Sequence, residues 1–149
     1  MIIPDVNVLV GALQPDDPHH PDLASWLGHA LNGVEPVGFS LTILSGTVRV
    51  LTNRRIFRSP PSAADVIARL DNMLAPPAAT IVAPGPRNWA VFSGLCSQPG
   101  VAGNLVADAF HAALAIEHGA VFATLDRDFL RFPGLKVINP IEAGSVGDQ

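Results

Sequence analysis

Apolar and polar positions along the chain follow two rhythms, short solid apolar runs and longer stretches with a three-to-four-residue repeat. Residues 1–4 are a short apolar run that predicts a strand ending at Asp5, with a helix or turn starting after it. Leu23, Trp26, Leu27, Ala30 and Leu31 then fall at helical spacing. A second strand is predicted over 36–41, and a helix over 42–52 with Leu44, Val48 and Leu51 on its apolar face. The run Ser62-Ala63-Ala64-Asp65 is a capping-type start for a helix carrying Val66, Ile67, Leu70 and Leu74, closed by Pro76-Pro77. A third strand follows over 80–83, and Pro86 opens a helix with Trp89, Phe92, Leu95 and Cys96 at core spacing. Asn104 is the expected N-cap of an alanine-rich helix that stops at His118-Gly119. The segments 120–124 and 135–138 are the fourth and fifth strands.

Strands alternating with helices imply a three-layer α/β domain with a mostly parallel sheet. It is expected over residues 1–143, with 144–149 as a flexible C-terminal tail. In open α/β sheets ligands bind beyond the carboxyl ends of the strands, where Asp5 and Asp126 emerge. For both to reach one crevice, the first and fourth strands must be neighbours.

Composition narrows the class. A chain of 149 residues with 48% hydrophobic and 15% charged positions is a folded protein of one domain. Its 13 glycines and 14 prolines fall mainly between the periodic segments. The apolar start has no basic flank and carries Asp5, unlike a signal peptide or a membrane span, so a soluble cytoplasmic protein is expected. The single cysteine, Cys96, rules out an internal disulfide and a thiolate metal set and reads as a small buried hydrophobe. The Gln14–Pro21 stretch, with Asp16, Asp17, His19 and His20, reads as a helix entry, because adjacent histidines on a proline-rich turn do not point the same way.

A net charge of −4 does not advertise nucleic-acid binding. The distribution says more, since Arg49, Arg54, Arg55 and Arg58 fall within ten positions and supply either a phosphate-facing patch or a solvated helix end.

The candidate chemistry lies in the aspartates. Asp5 and Asp126 stand at strand ends, and Asp108 falls about one turn into the alanine-rich helix, where the helix N-terminus favours its ionised form. Ala112 and Ala115, on the same side of that helix, leave room near the carboxylate. Three converging acids repel one another unless some are protonated or a hard cation joins them. Magnesium or manganese suits an all-carboxylate set, and the usual work of such a site is in-line displacement at phosphorus. Neither a phosphate-binding lysine loop nor a GxGxxG pattern offers a nucleotide site. A plain scaffold would have to explain each acid separately, Asp5 and Asp126 as caps or turns and Asp108 less easily.

Asp5-Val6-Asn7, Asp108 opening the HAALAIEHGA helix, and Thr124-Leu125-Asp126-Arg127-Asp128-Phe129 together resemble a PIN domain, in particular a VapC-type toxin of a bacterial toxin–antitoxin pair. VRVLTNRRIF at 48–57 and Pro-Gly-Leu at 133–135 resemble one branch of that family. The resemblance implies an endoribonuclease that cuts single-stranded or loop RNA with Mg2+ or Mn2+, is held inactive by a VapB-type antitoxin, and forms a homodimer. Carried over by position, Asp5, Asp108 and Asp126 are the catalytic metal-binding carboxylates and Asp128 an outer participant, while Asn7 and Thr124 orient the site. Arg49, Arg54, Arg55, Arg58 and Arg127 are the candidates for RNA contact.

One position departs from the family's pattern. Most PIN nucleases carry a glutamate on the helix after the second strand, and Gly46 stands in its place here, as it often does in the branch this chain resembles. One ligand fewer implies weaker metal binding and a preference for manganese. It also keeps open a PIN domain that binds RNA or antitoxin without efficient cleavage. A phospho-acceptor domain fits less well, since the only lysine, Lys136, lies inside the last strand.

Overall fold

The computed structural model describes residues 1–144. Five short strands, β1 (Ile2–Pro4), β2 (Val37–Ser40), β3 (Ala79–Val82), β4 (Val121–Ala123) and β5 (Lys136–Ile138), form one sheet in the order β3-β2-β1-β4-β5. Every pairing is parallel, with Ile2 opposite both Val37 and Val121. The three-layer α/β expectation therefore holds, and β1 and β4 are neighbours. All four residues of β2 are buried, as are Ile3, Phe122 and Ala123 of the adjoining strands. Burial on both faces is what solid apolar runs produce in a parallel sheet.

The helices are α1 (Val6–Leu13), α2 (His20–Leu31), α3 (Leu41–Leu51), α4 (Ala63–Leu74), α5 (Asn88–Cys96), α6 (Asn104–Glu117) and the short α7 (Pro140–Gly144), with a 3-10 turn at Arg127–Arg131. Local chemistry fixes their ends. Ser62 accepts from Asp65 N at 3.1 Å and donates to the Asp65 carboxylate at 2.7 Å, the predicted capping start of α4. Past His118, Gly119 takes a φ of +61°, and Gly119 N and Ala120 N donate to Ile116 O and Ala115 O, a Schellman ending that turns the chain into β4. Asn104 does not cap α6. The capping position is Gly103 at a φ of +57°, so a backbone turn open to glycine starts the helix in place of a side chain.

The main core gathers Ile3, Leu9, Leu23, Phe39, Ile43, Leu114, Phe122 and Phe129 around the sheet. A satellite of Leu51, Val66 and Leu70 ties α3 to α4. Ala109, Ala112, Ala113 and Ala115 are fully buried, which lets α6 lie close on the sheet. Trp89 departs from the core position its spacing predicts. It is 75% exposed, while α5 packs mainly on α6. Among the described residues no helix is long and apolar enough to cross a membrane.

Candidate active site at the ends of β1 and β4

β1 ends at Pro4, and Asp5 follows as the N-cap of α1 in an extended conformation, its Oδ1 accepting from Val6 N at 2.7 Å. The other carboxylate oxygen is occupied across the sheet. Thr124 Oγ1, just past β4, donates to Asp5 Oδ2 at 2.6 Å, and Asn7 Nδ2 donates to the same oxygen at 3.0 Å. Asn7 is shared further, with Nδ2 3.1 Å from Thr124 Oγ1 and Oδ1 accepting from Leu125 N at 3.2 Å. Thr124 Oγ1 also accepts from Asp126 N at 3.0 Å, and Asp126 Oδ1 accepts from Asp128 N at 2.8 Å. Asn7 and Thr124 thus stitch the ends of the two strands together and set the position of both aspartates. Asp5 and Thr124 are buried, whereas Asp126 and Asp128 are exposed.

Asp108, in the second turn of α6 and half-buried, faces this group. Burial pushes its carboxyl up to about 6, with repulsion from Asp126, Asp5 and Asp128 adding to the shift and Arg131 opposing it. Asp5 is also raised, chiefly by burial, against the pull of its hydrogen bonds from Thr124 and Val6 and the attraction of His111. The four acids named from the sequence therefore share one electrostatic neighbourhood.

These donors suit a hard divalent cation in kind, because they are carboxylate oxygens whose mutual repulsion a cation would relieve. As the side chains stand, no three His, Cys, Asp or Glu among the described residues are grouped closely enough to hold an ion. The fit is one of donor chemistry.

Gly46 stands at a close contact. A Cβ there would meet Val6 Cγ2 at 3.1 Å, so α3 lies against the residue that follows Asp5. No other glutamate takes over from that helix. Glu35 pairs with the N-terminal ammonium at 2.8 Å, and Glu117 accepts from Gly85 N at 2.9 Å and Arg87 N at 3.0 Å. Glu142 lines a cavity of about 150 Å³ beside Asp126 and Arg127.

Arg49 stands on α3, and Arg54, Arg55 and Arg58 on the turns after it, all exposed and without an ion pair among the described residues. Arg127 is exposed beside Asp126. The Asp17 carboxylate accepts from His19 N at 2.8 Å, a turn contact that agrees with the helix-entry reading of 14–21.

Two residues beside the acids escape a reading of the sequence. Arg131 is one, and His111 is the other, placed near Asp5 with its Nδ1 buried and unpartnered. Burial lowers the pKa of His111, and Asp5 pulls it back in part. The signal was its spacing of three from Asp108, which places both on one side of α6.

Residues 2–135 match the PIN domain. VapC ribonuclease Mb2897 of Mycobacterium bovis is 41% identical over 142 residues, covering 95% of this chain and 97% of the relative. Ribonuclease VapC25 of Mycobacterium tuberculosis is 35% identical over 140 residues, covering 94% and 99%. Among solved structures, VapBC2 from Rickettsia felis, bound to a DNA fragment from its promoter, aligns with a TM-score of 0.70 at 21% identity over 93% of this chain and 98% of that one. FitAcB from Neisseria gonorrhoeae aligns with a TM-score of 0.66, also at 21% identity, over 94% and 98%. The solved structures share the fold, and the sequence relatives cover nearly the whole chain, so this protein belongs to the PIN-domain family, in its VapC branch.

Proposed function

We propose that this protein is a metal-dependent endoribonuclease and the toxin of a toxin–antitoxin pair. The observation that carries the reading is that Asp126, Asp5 and Asp128 lie near enough to Asp108 to add to the rise its burial causes, beside an Asn7–Thr124 network that holds Asp5. Asp5, Asp108 and Asp126 would hold Mg2+ or Mn2+, with Asp128 in an outer role. Such an ion supplies an activated water and charge stabilisation at the phosphoryl group.

The chain's own groups set the geometry. Thr124 and Asn7 hold Asp5 Oδ2 while Val6 N holds Oδ1, and Thr124 fixes the Asp126 backbone through the Asp126 N–H. Arg127, next to Asp126, and the Arg49, Arg54, Arg55 and Arg58 patch are the phosphate contacts we assign to single-stranded or loop RNA. The relatives are named ribonucleases, and the structural neighbours include the VapBC2 assembly, which supports a VapB-type antitoxin as partner. We further propose a homodimer acting in the cytoplasm.

Cleavage of a structured RNA by the purified protein with Mn2+, with Mg2+ and with EDTA tests this. Cleavage that needs the metal and falls by about a thousandfold in Asp108→Asn is expected, the scale of losing a group that acts in the transition state. Metal-independent RNA binding without cleavage would overturn it. That result would favour a binding-only PIN domain, the second reading, which rests on Gly46 standing where most PIN nucleases carry a carboxylate.

A further inference from the structure

His111 has no task in the reading above, yet it stands close enough to Asp5 for the two to interact. It lies three residues beyond Asp108 on α6, so the two side chains leave the same side of the helix one turn apart. Its ring is electrostatically coupled to Asp5. An edge-on contact with Phe110, centroids 6.0 Å apart and planes at 72°, restrains it.

The two ring nitrogens are in different surroundings. Nδ1 is buried with no hydrogen-bond partner, while Nε2 is not among the buried unpartnered atoms and keeps access to solvent. In a neutral imidazole one nitrogen carries the proton and the other a lone pair. A buried N–H without an acceptor is rarer and costlier than an under-used acceptor, so the proton belongs on Nε2. Metal-bound histidines show the opposite arrangement, donating their second N–H to a carbonyl or carboxylate, and Nδ1 has no such acceptor. His111 therefore carries its donor on Nε2, on a ring that lies near Asp5.

We propose that His111 donates its Nε2–H to a non-bridging oxygen of the RNA phosphate that is cut, which rests on the nuclease reading. Every carboxylate of the site repels that phosphate. A neutral donor beside Asp5 adds attraction there without competing for the cation.

The test compares wild type with His111→Ala and His111→Gln in Mn2+-supported RNA cleavage, alongside Mn2+ titration without RNA. The alanine variant is expected to lose about a hundredfold in kcat with little change in KM, as when one positioned donor is removed. Glutamine, whose amide nitrogen reaches roughly as far as Nε2, is expected to recover at least about tenfold of that loss. Neither variant is expected to alter Mn2+ affinity. Should the alanine variant fail to fold, His111→Asn takes its place, since its amide stops near the Nδ1 position.

An alanine or asparagine variant that cleaves like wild type would overturn the proposal, as would equal loss in the glutamine variant. A drop in Mn2+ affinity of about tenfold or more would make His111 a metal-supporting residue and overturn it too. A wild-type protein that cleaves no RNA fells the nuclease reading itself and this inference with it; an active wild type with an indifferent His111 fells the inference alone.

Discussion

At the scale of single residues, Asp108 carries the tension of the site. Its carboxyl is raised from 3.8 to about 6, first by burial and then by Asp126, Asp5 and Asp128. A raised acid means that the fold favours the protonated form. The stability so gained is full below the unfolded value of 3.8 and is lost as pH climbs through about 6. We therefore expect the melting temperature of the metal-free protein to fall between about pH 4 and pH 7. In Asp108→Asn, where nothing ionises at that position, the fall should be smaller, and Mn2+ should raise the wild-type value at neutral pH by binding the folded state. Thermal unfolding across that range, with and without Mn2+, reads all three. Parallel pH profiles for the two proteins would show that Asp108 does not bear the repulsion.

The elements show why some of this was legible in the sequence and some was not. Solid apolar runs and their flanking breaks give the five strands to within a residue or two, the central ones because a strand buried on both faces has little choice of composition. The adjacency of β1 and β4 followed from requiring Asp5 and Asp126 in one crevice, and the register Pro4 opposite Ala123 bears it out. Trp89 misled because spacing reports which side of a helix is apolar, not whether another element covers it, and at Trp89 none does. His111 was passed over for Ala112 and Ala115, whose full burial confirms that they face the sheet, while the third-residue neighbour of Asp108 turns toward Asp5.

Gly46 sits between these cases, since either close packing or a lost side chain explains a glycine in a helix. The 3.1 Å approach of its would-be Cβ to Val6 favours packing. Restoring a carboxylate by Gly46→Glu should then destabilise the protein by about 1–3 kcal/mol through overpacking of α3 on α1. The double variant with Val6→Ala should lose less than the sum of the two single changes, because the clash is shared. Chemical denaturation of the four proteins measures this coupling. Strict additivity would mean that α1 and α3 do not meet at this pair.

Across the whole molecule, a net charge of −4 and a pI near 5.6 give a field that opposes any polyanion, so affinity for RNA must come from a local surface. Arg49, Arg54, Arg55 and Arg58 meet that need, being exposed and unpaired by carboxylates among the described residues. Each phosphate neutralised on a single strand contributes about 0.7 to the slope of log affinity against log salt. Replacing Arg54 and Arg55 together by alanine should weaken RNA binding and make that slope shallower by about 1.4. The measurement belongs in EDTA, where the RNA stays intact and the carboxylates hold no ion to attract it. Most of the lost affinity should be visible at low salt and vanish as salt rises, since distant charges are screened first. An unchanged slope with unchanged affinity would move the RNA path off this turn and leave Arg127, beside Asp126, and Arg131, which acts on Asp108, as the cations at the site.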